Sequence, residues 1–316
     1  MHATPSRPDS STDGSGRLAR RGMLAGLTAA AVLVPTATAS AASRQRRSPA
    51  GPTIQAVASA TGIELSTRTV PAGPVTLSAS TTEPKQQALG LIRLRPDTDL
   101  DTFLVHYKTA ATATDPAARR AALAQIDAEA HYFGGAAVTS ASGTISVSWI
   151  LAPGTYHLIN YTTVDPAHPE IGIRELRVGP PEHRPVQPWA PTQVVSPYDD
   201  GPDGRFLAAS VLPANGTFQV VNHSAQLNEV MLYKATAEAT TETVTACMEA
   251  LRLGKEPPLF PFTGLPTGLT PLSPGASAVF SLSLKPGRYL MTSFISNRTT
   301  LTKRAFEGMW QLVTLR

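Results

Sequence analysis

Cysteine is nearly absent: the 316-residue chain contains one, Cys247. A single thiol excludes a disulfide framework and any multi-cysteine zinc or iron–sulfur centre. Charge is sparse at 16% and aromatic residues make up 6%, whereas 28 Pro and 23 Gly are present. That balance favours short strands and turns over helix bundles. A 42% hydrophobic content is too high for a wholly disordered chain, and the length suits two ordinary domains. The formal charge is only +4, with no clustered basic excess, so nucleic acid is not an expected partner. Also missing are the Gly-x-Ser-x-Gly elbow, the P-loop and Gly-x-Gly-x-x-Gly, which leaves hydrolase and nucleotide-binding readings without support. Asp97, Asp99 and Asp101 alternate, but the Gly and closing Glu of a calcium loop are lacking. They read as acidic residues at a helix start, where the helix dipole favours them. Cys247 reads as a small buried hydrophobe.

What is present begins with an export signal. Arg17, Arg20 and Arg21 precede an uncharged apolar stretch from Gly22 to Ala37, and Ala39-Ser40-Ala41 is a small-residue cleavage site. This predicts a signal peptide over residues 1–41, twin-arginine (Tat) in type, followed by a disordered basic arm over 42–61. Membrane contact is expected through the signal alone, with extracytoplasmic or secreted localisation by the Tat route.

The rest repeats. Residues 180–204 are rich in Pro, Gly and Asp and read as a linker between domains at 62–179 and 205–316. Val70-Pro71-Ala72-Gly73 echoes Leu212-Pro213-Ala214-Asn215, and the apolar run Ala88 to Leu94 echoes Glu229 to Tyr233. A helix follows in each half. One spans Asp115 to His131, with Asp115 at the N-cap and Pro116 at N1. The other spans Thr241 to Leu253, with Val244, Cys247, Met248 and Leu251 on one face. Alternating strands at 144–150 and 276–284 lead into Pro153-Gly154-Thr155-Tyr156 and Pro286-Gly287-Arg288-Tyr289. Final strands run over 171–178 and 309–315. The pattern predicts an all-β protein, a sandwich of about seven strands built twice, each copy with a helical insert.

The recurring Pro-Ala turn, helical insert, Pro-Gly-x-Tyr strand and closing Gly-Ile or Gly-Met strand resemble tandem bacterial cupredoxin-like domains of the plastocyanin/azurin type. The resemblance covers about residues 62–179 and 205–316 and implies two Greek-key β-sandwiches. It also implies a copper site with an early His, a Cys after the Pro-Gly-x-Tyr strand, a second His and a Met. This chain departs from that set. The resemblance puts Gln87, Asn160, His168 and Ile173 at those positions in the first half, and Asn228, Ser293, Arg304 and Met309 in the second. Without a thiolate the set lacks what a type 1 copper centre requires. Multicopper oxidases also resemble tandem domains of this kind but need His-x-His pairs, and the seven histidines form none.

The sequence therefore predicts a non-catalytic binding or structural protein without cofactor, on a degenerate scaffold. Its partner would be an extracytoplasmic protein or polymer. Arg298, Lys303 and Arg304 form a candidate docking patch for an anion or partner. Two alternatives remain. One is a metal-binding protein, with copper as the cofactor, that uses the residual His168 and Met309 with neighbours, or a Cu(II) or Zn site from two of His106, His131, His157 and His168 plus a carboxylate such as Asp165 or Glu170. The other is an enzyme whose site is too dispersed to read.

Overall fold

A computed structural model describes residues 51–182 and 189–316. The expected signal peptide, the first part of the expected arm and residues 183–188 of the expected linker lie outside the described residues.

The first half runs through nine strands: β1 (Thr53–Ser59), β2 (Gly62–Leu65), β3 (Thr69–Pro71), β4 (Gly73–Ser80), β5 (Gln87–Leu94), β6 (Ala130–Val138), β7 (Ile145–Leu151), β8 (Gly154–Asn160) and β9 (Ile173–Gly179). The second half repeats them as β10 (Gln193–Asp200), β11 (Asp203–Leu207), β12 (Val211–Leu212), β13 (Asn215–Val221), β14 (Asn228–Ala235), β15 (Phe262–Leu272), β16 (Ser277–Ser283), β17 (Gly287–Thr292) and β18 (Trp310–Leu315). Helices α1 (Leu100–Thr112) and α2 (Pro116–Glu129) lie between β5 and β6. A short helix, α3 (Pro169–Gly172), precedes β9. Helix α4 (Thr241–Arg252) fills the place between β14 and β15, and a 3-10 turn (Arg304–Glu307) precedes β18.

The strands form two sheets that run unbroken through both halves. One has the order β11-β10-β13-β16-β7-β4-β1-β2, and the other β12-β18-β17-β14-β15-β6-β5-β8-β9-β3. Each order reads the same from either end once halves are exchanged, so a pseudo-twofold axis passes between β7 and β16 and between β6 and β15. Each junction pair is antiparallel. Ser148 faces Val279 and Val147 faces Phe280, while Ala136 faces Leu269 and Phe133 faces Leu272. The junction is therefore main-chain hydrogen bonding, with one apolar core continuous across it: Leu89, Ala136, Val147, Leu269 and Phe280 belong to a single cluster.

The repeated Pro-Gly-x-Tyr string has a specific function. Gly154 (φ +144°) and Gly287 (φ +150°) adopt a backbone that side chains disfavour, which turns the chain into β8 and β17. Two residues on, Tyr156 donates its hydroxyl to the Ala152 carbonyl (3.0 Å) and Tyr289 donates to that of Lys285 (2.8 Å). The same tyrosine pins the same corner in both halves.

Several sequence expectations are corrected. The arm expected over 42–61 contains β1. Ile54, Ala56 and Ala58 are buried, and Thr53, Gln55 and Val57 are exposed, the alternation of a half-buried strand. The strand lies parallel to β4. The linker expected over 180–204 contains β10, which runs parallel to β13 only as far as Val195. Pro197 lies past the end of that ladder, where its missing N–H costs nothing. Each half has nine strands rather than about seven, because β1 to β3 and β10 to β12 were hidden in short or Pro-containing segments. The expected second-half helix is α4. The expected first-half helix is α2, with the Asp115 carboxylate accepting from the Ala118 amide (2.8 Å). It is preceded by α1, capped by Asp99 on the Thr102 amide (2.8 Å), a bond that holds the Asp99 carboxyl below its usual range. Cys247 is fully buried on α4, and burial raises its thiol pKa.

Candidate functional site

Strand register aligns the halves residue by residue. Leu89 opposes Asn160, and Met231 opposes Thr292. Superposing the tyrosine corners then makes Gln87 equivalent to Asn228, Ala88 to Glu229, and Asn160 to Ser293. A shared hydrogen bond confirms the match. The Ala88 amide donates to Asn160 Oδ1 (3.3 Å), and the Glu229 amide donates to Ser293 Oγ (3.3 Å).

In the first half, Asn160 Nδ2 donates to Gln87 Oε1 (2.8 Å), and both side chains are buried. The two amides thus satisfy one another. His168 is not with them. It precedes α3 on the surface, 3.5 Å from Glu170, with 65% of its side chain exposed. Ile173 opposes Ile159 on β9, and its equivalent is Trp310. Met309 therefore matches Gly172, one residue before the Ile173 expected from sequence. A Cβ on Gly172 would meet the Val164 Cα at 2.5 Å, so the loop backbone occupies the space where a ligand side chain would lie.

In the second half, Asn228, Ser293, Arg304 and Met309 are all buried. Arg304, expected as part of an exposed docking patch, is 1% exposed. Its Nη2 is ion-paired with Asp199 and its Nη1 with Glu307 (3.1 Å). Asp199 also accepts from Ser224 Oγ (2.8 Å) and the Ala225 amide (2.8 Å). Both terminal nitrogens are matched inside the protein, Nε is buried without a partner, and the guanidinium is unavailable to an anion from solution. A Cβ on Gly204 would lie 2.9 Å from both Arg304 Nη2 and Met309 Cβ, so β11 closes over this corner.

Neither set fits a type 1 copper ion. Two carboxamides, a surface imidazole and a glycine make up the first. A carboxamide, a hydroxyl, a guanidinium and a thioether make up the second. Copper of that class needs a thiolate and imidazoles. The other histidines stand apart. His106 Nδ1 bonds Glu129 (2.7 Å), His131 packs edge-on against Phe133, and burial lowers the pKa of His131 and of His157. Among the described residues, no three or more His, Cys, Asp or Glu side chains group as a metal site.

Open space lies instead on the outer face of the ten-stranded sheet, beside α1 and α2 at the junction of the halves. There a cavity of about 350 Å³ is bounded by β5, β6, β14 and β15, by α1 and α2, and by residues 294–296 and 303. Its walls are apolar and aromatic. The Tyr161 ring lies on the bare Cα of Gly90, where a Cβ would meet it at 2.4 Å. Tyr107 and Tyr161 stack at 6.1 Å, and Tyr107 also stacks on Phe103 at 6.3 Å. The hydroxyls of Tyr132 and Tyr161 are buried without a hydrogen-bond partner, and burial raises the pKa of both phenols. Glu229 is the residue that half one fills with Ala88. Its Oε1 accepts from the Phe294 amide (2.9 Å), and burial pushes its pKa up to about 7, with Lys303 drawing it down. Burial and Arg119 in turn lower the pKa of Lys303.

Of the three cations expected to form a patch, only Lys303 reaches this cavity. Arg298 Nη1 lies 3.6 Å from Asp127, on the far side of the same loop. Asn297 holds that loop by accepting from the Thr299 and Thr300 amides. Leu301 takes a left-handed backbone (φ +63°), alone among non-glycine residues described, and such strain persists only where the surroundings fix it. Sequence reasoning missed Tyr132, Tyr161 and Glu229. The usable signal was Glu229 itself, a lone charge opening an apolar strand whose repeat partner is alanine.

No protein-family model matches the chain, and no curated protein does. Solved structures do show likeness. Auracyanin A, a "blue" copper protein from Chloroflexus aurantiacus, is 21% identical over 41% of this chain and 100% of that one, with a TM-score of 0.27. A reduced auracyanin from Roseiflexus castenholzii is 18% identical over 40% and 99%, TM-score 0.23. Copper nitrite reductase from Nitrosomonas europaea is 9% identical over 84% and 93%, TM-score 0.23. TM-scores this low carry no weight for chemistry, and the two-sheet architecture rests on the strand pairing above. Among the described residues no helix is long and apolar enough to cross a membrane.

Proposed function

We propose that this chain is an extracytoplasmic, non-catalytic binding protein built on two fused, degenerate cupredoxin-like sandwiches, and that it holds no type 1 copper. The single observation that carries the reading is how the old ligand positions are filled. Gln87 and Asn160 satisfy each other, and Arg304 stands in its own ion pairs beside Met309. A site kept for a metal would leave several donor atoms free and convergent; of these positions only Asn228 leaves an oxygen, Oδ1, buried without a partner, and no thiolate or imidazole stands with it. The scaffold is retained while its usual site is closed, and function follows the site rather than the fold. Export by the Tat route and delivery outside the cytoplasm belong to the same proposal and rest on residues 1–41.

Metal loading tests the reading. The folded chain is incubated separately with Cu(II), Cu(I) and Zn(II), desalted, and analysed by elemental mass spectrometry. Well under one metal per chain in every case is expected. One tightly held metal per chain overturns the proposal.

A further inference from the structure

A second, smaller cleft of about 210 Å³ also draws on both halves, and its lining carries charge. Arg95 stands at the end of β5, Asp127 on α2 and His131 on β6, all in the first half. Arg298 comes from the loop before β18 in the second half, and Leu227 and Pro274 of that half complete the wall. Both guanidiniums are within reach of solvent: Arg95 is exposed, and 46% of the Arg298 side chain is. The one carboxylate in the lining, Asp127, lies 3.6 Å from Arg298 Nη1. That contact is loose rather than bidentate, so Arg298 keeps N–H groups free, and the charge of Arg95 goes unanswered within the cleft. Burial and the charge of Arg95 lower the pKa of His131, so at neutral pH its ring is uncharged and offers one N–H. Two cations that line one cleft repel each other, and an anion entering between them turns that cost into a gain.

We infer that this cleft binds a tetrahedral oxyanion, a phosphate or sulfate group, between Arg95 and Arg298, with His131 as a further donor. Guanidinium forks match the oxygens of such groups. The donors come from three separate elements rather than from one plane, which suits oxygens that point in several directions better than a planar carboxylate. The volume of about 210 Å³ is below that of drug-sized sites, which limits the ligand to the ion itself or an ester with a small organic body. The inference rests on the reading of the chain as a binding protein and adds the place and the ligand class. It also gives the fusion a use, because neither half alone holds both arginines. Of the three cations that the sequence offered as an anion patch, Arg298 keeps the role, and its partner is Arg95 rather than Lys303 or Arg304.

Calorimetric titration of the folded full chain at neutral pH and low ionic strength tests it, with inorganic phosphate and phenyl phosphate as probes. One site per chain is expected, with Kd at or below about 1 mM for at least one probe. Tighter inorganic phosphate marks a free ion as the ligand, and tighter phenyl phosphate marks an ester whose body lies on Leu227 and Pro274. Arg95→Met and Arg298→Met are each expected to weaken binding about tenfold or more. Asp127→Asn removes the only carboxylate of the lining and is expected to tighten it. Arg288→Met, at an exposed cation on β17 outside the lining, changes affinity by less than about twofold. Both lining arginines reach solvent, so their variants fold, which an unchanged melting temperature checks. In NMR spectra of histidine-labelled protein, phosphate shifts the ring signals of His131 and leaves those of His168 in place. Failure of both probes, full affinity in both arginine variants, an equal loss in Arg288→Met, or an unmoved His131 each overturns the inference. The metal measurement keeps the two readings distinguishable. Failed probes on a metal-free chain overturn the anion site alone, and a loaded metal overturns the proposed function whatever the probes do.

Discussion

The two halves share a strand order, a corner and a hydrogen-bond pattern, yet they close the same place with opposite chemistry. The first half does it with neutral groups: one amide pair, Gln87 and Asn160, and a bare glycine, Gly172, under the Val164 backbone. The second half does it with charge. Arg304 is buried between Asp199 and Glu307, under a strand that only glycine at 204 lets approach. A neutral pair is cheap to bury, and an ion pair must recover the desolvation of both partners. The comparison predicts that the second half is the more fragile to substitution and the more sensitive to pH.

The sharpest way to break the comparison is at Arg304. Arg304→Met leaves Asp199 and Glu307 without their cation and is expected to cost about 3–5 kcal/mol, read by urea unfolding. A cost below 1 kcal/mol would show that the ion pairs do not hold this corner. Next comes Glu229, where the halves differ as Glu against Ala. Its native pKa of about 7 lies above the ordinary 4.5, so the folded state binds the proton more tightly than the unfolded state. Its contribution is therefore most favourable below about pH 4.5, falls as pH rises toward 7, and stays low above. Lys303 and the Tyr161 and Tyr233 hydroxyls face the same carboxyl. Glu229→Gln is expected to stabilise the protein at pH 8 by up to about 3 kcal/mol and to have little effect at pH 5. Thermal melts at the two pH values check the sign, and a variant weaker at pH 8 would reverse the argument.

In the neutral half, Asn160→Ala strands the Gln87 oxygen and the Ala88 amide and should cost about 1–3 kcal/mol, independent of pH between 5 and 8. The same denaturation series reads it, and any pH slope would mean that the pair is not neutral in effect. Smallest is His168→Ala, on an exposed side chain, which should change stability by no more than about 0.5 kcal/mol. A larger loss would restore His168 to the site from which the structure removes it.

Much of the fold was legible because it depends on local chemistry. The Pro-Gly-x-Tyr corners, the Asp115 cap with Pro116, and the alternation in β7 and β16 are all short-range signals. What escaped reading had weak or masked signals. The Ile54–Ala56–Ala58 alternation of β1 sat among small residues next to a basic arm, and β10 carried a proline that spoke for a linker. Helix α1 has Leu100, Phe103, Leu104 and Tyr107 at helical spacing, but no glycine or proline closes it. The candidate site was less legible for a geometric reason. The equivalence of Gln87 with Asn228 and of Asn160 with Ser293 follows from repeats along the chain, and the structure keeps it. Glu229 meets Tyr161 of the first half only because the halves pair edge to edge, and no spacing in one sequence encodes that junction. Arg304 misled because a cationic residue on a loop reads as exposed, whereas its partner Asp199 comes from a segment taken for linker.

The central claim is that the positions where the resemblance expects copper ligands are closed in both halves. A crystal structure of the protein grown with Cu(II), with anomalous maps at the copper edge, tests it most directly. The account predicts no copper peak at Gln87/Asn160 or at Asn228/Ser293/Met309. A copper peak beside Met309 with Arg304 displaced would contradict it.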